Sequence, residues 1–327
     1  MKRDTATAPA FAGAQHHRGQ VSPPQDERHL LHFNFRHHTL SALFALLLAA
    51  CSAPAPLVTG PAHPPMWLAS DGDTRFILIG SVHQLPPDLN WQDARVARAV
   101  GQADELLLEL DPVELPQIPA LFARVARDEP VASLDTRIGR DLAEPALDVA
   151  ASAGIDEQAA QTLESWGLAM ALGSVQSADA GLLSEAGVES TLTRLFQAAH
   201  KPIHGLERAA DQLALFDALP PATQDAMLAR TVRERGQARA DIRDLLTAWA
   251  RGDVARLARL ASEDVARTPG LAEPLVYARN RAWAAALTQR AQRPGTVMVA
   301  VGTGHLVGAQ SLPSLLSAAG FRVTTIR

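Results

Sequence analysis

Two apolar runs, MWLAS and TRFILIG, flank Asp71-Gly72-Asp73, a pattern that predicts a β-hairpin. Trp91 to Ala103 repeats its apolar residues at helical spacing, and Glu105–Leu110 (ELLLEL) has the length of a strand buried on both faces. From Glu114 to about Thr193 the pattern is mostly helical, with breaks near Pro130, Gly154 and Gly181. KPIHGLE at 201–207 reads as a short strand, with a helix from about Ala209. Residues 222–263 are helical and rich in Arg and Asp, which suggests a solvated arm rather than a core element. Helix 274–292 precedes a strand at Thr296–Val301, a last helix covers about 306–319, and a final strand spans Phe321–Ile326. Strands alternating with helices predict an α/β fold with a largely helical middle insertion.

The beginning of the chain follows another logic. Residues 1–38 are polar, hold six of the 11 histidines and show no periodicity. The apolar run Thr39–Ala50 (TLSALFALLLAA) has the length of a signal-peptide core and is too short to span a bilayer. Leu48-Ala49-Ala50-Cys51 resembles a bacterial lipobox, which implies cleavage before Cys51 and lipidation of that cysteine. Ser52 in the next position implies sorting to the outer membrane, periplasmic face. The expected layout is a signal peptide over 1–50, a Pro/Ala-rich tether over 51–65, and one domain over 66–327 with helical segments at about 112–200 and 209–292.

Composition narrows the chemistry. A single cysteine excludes a disulfide scaffold and cysteine-rich zinc modules. A net charge of −5 and 5% aromatic residues argue against a nucleic-acid partner. Past residue 50 the histidines are His63, His83, His200, His204 and His305. Two of these share a grammar: ILIGSVH ends at His83 and VAVGTGH ends at His305. In each, glycine at a strand end permits close backbone approach and delivers a histidine where open α/β sheets place their ligand crevice.

Glu109, among Leu106, Leu107, Leu108 and Leu110, needs a partner, a metal or a shifted pKa if buried. Glu207 closes KPIHGLE, either as a site carboxylate or as an acidic residue favoured at a helix N-terminus. On helix 274–292, Val276, Asn280, Trp283 and Leu287 share one face with Arg279 beside them. An arginine there answers a carboxylate or reads an anionic group. His200 and His204 flank a proline, sit on a strand and read as structural, with His204 a distant candidate because its strand leads to Glu207; His63 reads as a linker residue.

In order, GSVHQLP at 80–86, LLLELD at 106–111, GVES at 187–190, KPIHGLE at 201–207 with Gln212 beyond, ARNRAW at 278–283 and GTGHLVG at 302–308 resemble the TraB/GumN family. That family is related to Tiki metalloproteases and has the EreA/ChaN-like fold, so the resemblance implies a mixed sheet with helices packed around it. It also implies a site of paired G-x-x-H histidines, an acidic residue and an Arg-Asn pair, carried over onto His83, Glu109, Glu207, Arg279, Asn280 and His305. Ser81, Thr303 and Arg208 depart mildly from the family pattern.

The expectation is a metal-dependent hydrolase, peptidase-like, in the cell envelope. His83, Glu109 and His305 would hold a divalent ion of the Mn, Co or Zn type, with Glu207 as base and Arg279 and Asn280 completing the site. The alternative is a non-catalytic lipoprotein that captures haem or a peptide pheromone, with Tyr277 as a further haem ligand. Either way the expected partners are a membrane, through the lipid anchor, and a peptide or small envelope ligand.

Overall fold

The computed structural model describes residues 57–327. The expected signal peptide, Cys51 and the first part of the expected tether lie outside the described residues. Six strands form one mixed sheet: β1 (Met66–Asp71), β2 (Thr74–Ser81), β3 (Glu105–Leu110), β4 (Ile203–Glu207), β5 (Gly295–Gly302) and β6 (Arg322–Thr325). Their order is β4-β3-β5-β2-β1-β6. The β1–β2 hairpin turns at Gly72-Asp73, with Asp71 opposite Thr74. β2, β5, β3 and β4 run parallel, and β1 is antiparallel to both β2 and β6.

Burial follows from this order. β3 and β5 lie in the interior of the sheet between layers of helix, so Leu106 to Leu108 and Val297 to Val301 are all buried. β5 is the last of the four parallel strands in the chain yet sits between β3 and β2, pairing Ile77 with Met298 and Ser81 with Gly302. That insertion creates a switch in strand order, and a crevice opens beyond the carboxyl ends of such strands.

Helices cover the sheet and extend into the middle segment, where a second apolar core gathers around Trp166, Leu134, Leu168, Leu172 and Leu228. Its aromatic centre is Trp166, stacked on Phe216 and edge-on to Phe122. The expectation of a solvated arm over 222–263 is corrected here. Helix Ala238–Ala250 buries Leu246, Trp249 and Ala250 along one stripe, and the Trp249 indole N–H donates to the Gly80 carbonyl at 2.8 Å. Dense Arg and Asp on the outer faces masked a narrow apolar stripe.

From Leu57 onward the expected tether lies on the domain. Leu57 and Ala62 are buried, the Ala62 N–H donates to the Asn90 carbonyl, and His63 pairs with Asp93 at 2.9 Å.

Candidate functional site

The four parallel strands end on one edge, and each contributes to the same place. β2 leads through Gly80 and Ser81 to His83; β3 carries Glu109; β4 ends at Glu207; β5 ends at Gly302 and turns through Thr303–Leu306 to present His305. The two glycine-histidine turns are joined directly, because the Thr303 hydroxyl donates to the Ser81 carbonyl at 2.9 Å. Gly302 is required by close approach: its N–H donates to Glu109 Oε1 at 2.7 Å, and a Cβ there would stand 3.1 Å from that same oxygen.

Arg279 is the hub. It follows a π-helical turn, Glu273–Tyr277, and opens the helix Ala278–Arg290. Its Nε donates to Glu207 Oε2 at 3.0 Å, and its Nη2 donates both to Glu207 Oε1 and, at 2.6 Å, to Glu109 Oε2. Nη1 donates to the Leu275 carbonyl at 3.0 Å and lies 3.2 Å from His305 Nε2. The guanidinium also lies over the Trp283 ring. All five donors are therefore engaged in a site where Arg279, Glu109 and Glu207 are only 12%, 8% and 13% exposed. Burial alone would push Glu109 up, but Arg279 and the neighbouring histidines hold its carboxyl below the usual range. Burial likewise opposes the charge on Arg279, and Glu207 and Glu109 more than restore it. Two carboxylates against one guanidinium leave an excess of one negative charge.

His305 is buried, and burial pushes its pKa down to about 4 despite the pull of Glu109. It is therefore neutral at pH 7. Its Nδ1 meets Asn280 Oδ1 at 2.7 Å, while Asn280 Nδ2 donates to the Gln310 carbonyl at 2.8 Å, an orientation that makes Nδ1 the protonated nitrogen. The Nε2 lone pair is left facing Arg279 and the carboxylates. A histidine ligand or base is held in this way when its second nitrogen is tied to an oxygen.

His83 is different. Its ring is 69% exposed at the mouth of the site, 2.7 Å from Glu189 Oε1, and that carboxylate raises its pKa to about 9. Ser81 Oγ donates to the same Glu189 oxygen at 2.5 Å. Glu189 and Gln212 belonged to the motif pattern in the sequence but carried no role there. Gln212 Nε2 donates to Glu207 at 2.8 Å and reaches Glu109 at 3.4 Å. The glycine of GVES was the available signal for Glu189: a Cβ on Gly187 would stand 2.0 Å from the His83 carbonyl, so only glycine lets that helix start against the His83 turn. A cleft of about 740 Å³ opens here, lined by Val82, His83, Glu109, Glu189, Gln212 and Leu245 among others.

Two imidazoles and a carboxylate suit a Zn²⁺-like or Mn²⁺-like ion, and the negative excess with a fixed His305 tautomer fits that donor set. Each of the three is, however, engaged by a neighbour: His83 by Glu189, which holds its proton on, Glu109 by Arg279 and Gly302, His305 by Asn280 and Arg279. Their ligand atoms do not come within 4.8 Å of one another as a set; among the described residues the group that does is Asp128, Glu164 and Asp217, elsewhere in the fold. His204 is exposed on β4, and Tyr277 is half-buried in the π turn.

Compared with known proteins, residues 65–325 match the model described as the TraB/PrgY/gumN family. The uncharacterized protein YbaP of Escherichia coli K12 is 30% identical over 267 residues, 76% of this chain and 92% of that protein. YbaP of Shigella flexneri is 29% identical over the same length, with the same shares covered. No solved structure matches.

Proposed function

The chain belongs to the TraB/PrgY/gumN family, and we propose that it is a metal-dependent hydrolase acting on peptides at the cell envelope, held there by a lipid on Cys51. One observation carries the reading: the ends of neighbouring strands β2, β3 and β5 bring His83, Glu109 and His305 to the same edge of the sheet, where His83 and Glu109 line an open cleft. These three would hold a divalent ion of the Mn, Co or Zn type. When bound, such an ion lowers the pKa of water and polarises a carbonyl. Asn280 holds His305 in the tautomer whose Nε2 lone pair faces Arg279 and the carboxylates. Glu207, steadied by Gln212 and Arg279, is the proton acceptor, and Arg279 supplies positive charge for a developing oxyanion. Glu189 orients His83, and the leucines of the cleft bind apolar side chains of the peptide.

The test is to measure Mn, Co and Zn in the purified protein and to digest a peptide library with and without chelator. His83→Ala and His305→Ala should each lose metal. Glu207→Gln should keep metal while turnover falls about 10²–10⁴-fold. Metal content unchanged by both histidine substitutions would overturn the site.

A second reading rests on the saturation of Arg279, whose donors are all met by the chain itself. On that reading the ion network is structural and the cleft captures haem or a peptide pheromone without cleaving it. Stable retention of an intact ligand by a protein that cleaves nothing in the library would favour it.

A further inference from the structure

Away from the strand ends, three carboxylates meet in the helical segment. Asp128 lies just past helix Ile118–Val125, Glu164 immediately precedes helix Ser165–Asp179, and Asp217 ends helix Ala209–Asp217. Their ligand oxygens all lie within 4.8 Å of one another, close enough to share one ion, since opposite oxygens around Ca²⁺ stand about 4.6–5.2 Å apart.

A cluster of acids alone would signify little. Glu164 supplies the separate observation. It is 5% exposed, its Oε1 is buried, and that oxygen has no hydrogen-bond partner. It stands at a helix N-cap, where a carboxylate ordinarily accepts from the first-turn N–H groups, yet its side chain makes no capping bond. It is turned instead toward Asp217 and Asp128. Burial first, and then the repulsion of those two carboxylates, push its pKa up to about 7, while the Trp166 indole N–H and the Glu129 backbone N–H act in the opposite sense. Burial and the charges of Asp128 and Glu129 likewise push Asp217 up, and its place at the negative end of a helix adds to the strain.

Among the described residues no cationic side chain forms an ion pair with these three carboxylates. Arg137 is near enough to feel Glu164, but its Nη donors go to the Leu163 and Gln161 carbonyls and to Ser165 Oγ, and its buried Nε–H makes no hydrogen bond. The Trp166 Nε1–H, turned toward both carboxyls, makes no hydrogen bond of ordinary geometry. A buried, unpartnered carboxylate oxygen among two further carboxylates costs stability unless a cation completes it.

We propose that Asp128, Glu164 and Asp217 bind a hard divalent cation of the Ca²⁺ or Mg²⁺ class, which clamps three helical segments of the middle region over the Trp166–Phe216–Phe122 core. Water completes the coordination shell on the exposed Asp128 side. This site is independent of the strand-end site in its residues, its donor chemistry and its role, which is structural.

Trp166 provides the probe. The purified full chain is titrated with Tb³⁺ under tryptophan excitation, and Ca²⁺ and Mg²⁺ are then added as competitors. Thermal unfolding is followed with and without Ca²⁺. Sensitised emission should appear, Ca²⁺ should displace it, and saturating Ca²⁺, about 100-fold above Kd, should raise Tm by about 5–10 °C. Glu164→Gln, which preserves shape, and Asp217→Asn should each weaken binding at least about tenfold and cut the Tm shift at the same Ca²⁺ concentration to about half or less. His305→Ala should leave both signals in place, which separates this ion from one at the strand ends. Signals that survive undiminished in Glu164→Gln and Asp217→Asn, or that vanish in His305→Ala, would overturn the proposal. So would a wild type that responds to none of these ions, the behaviour of carboxyls that merely share a proton.

Discussion

Asn280 Oδ1 accepts the Nδ1–H of His305 at 2.7 Å, and this bond decides which imidazole nitrogen faces Arg279 and the two carboxylates. Asn280 is itself 1% exposed and fixed by its bond to the Gln310 carbonyl, so the imidazole is oriented by a residue that cannot turn away. The Arg-Asn pair thus divides its work: Arg279 organises the carboxylates, and Asn280 organises the histidine.

Asn280→Ala should leave the buried Nδ1–H of His305 unmet, lowering stability by about 1–3 kcal/mol. Affinity for metal should fall about 10–100-fold, as for other outer partners of a histidine ligand. Denaturant melts and metal titration of the same sample check both. Unchanged metal affinity would remove Asn280 from the site.

Arg279→Met should be more damaging, by about 3–5 kcal/mol, because Glu109 and Glu207 then face each other without a counter-charge. Arg279→Lys should recover only part, since one ammonium cannot reproduce five donors in a fork. Adding Glu207→Gln to Arg279→Met should restore stability, and a double-mutant cycle by chemical denaturation measures the coupling.

Chain truncation before Thr296 removes β5 and β6. Since β5 is hydrogen-bonded to both β2 and β3, the remaining strands cannot form one sheet. The expected result is loss of cooperative unfolding in calorimetry; a normal transition in the truncated chain would contradict this strand order.

Asp93 gives a pH prediction. Burial would raise its pKa, but hydrogen bonds from Arg95, His63 and the Val96 N–H hold it at about 2, against 3.8 in an unfolded chain. A depressed carboxylate contributes stability that is fully present above its unfolded pKa and is lost as pH falls through the folded one. Asp93→Asn, which can still cap the helix Ala94–Gln102, should therefore cost about 1–2 kcal/mol at pH 7. The gap should close as pH falls from about 4 to 2; a gap independent of pH would place the effect elsewhere.

Cys51→Ser should abolish incorporation of a labelled fatty acid and release the protein from membranes. Equal labelling of variant and wild type would end the lipoprotein proposal.

Much of the fold was legible along the chain. ELLLEL and TVMVAV read as strands because both faces are buried, and the hairpin read from its Asp-Gly-Asp turn. Two features were not. The helix Ala238–Ala250 hides Trp249 behind Arg and Asp, and the bond from its indole to Gly80 joins residues 169 positions apart. The π turn before Arg279 inserts a residue into the helical repeat, so that Val276 is only partly buried while Asn280, Trp283 and Leu287 keep the inner face. Hydrophobic periodicity does not register such local insertions.

By itself the sequence determined which short runs become strands, where glycine must stand, and that two histidines follow two strand ends. These are local matters of side-chain period and backbone sterics. Only the tertiary structure decided that β5 lies between β2 and β3, that one guanidinium joins Glu109 to Glu207 and meets His305, and that Glu189 takes His83. Each of those choices depends on which distant segments share a buried volume, and there a charge or a lone pair must find a partner from wherever in the chain one has been brought near.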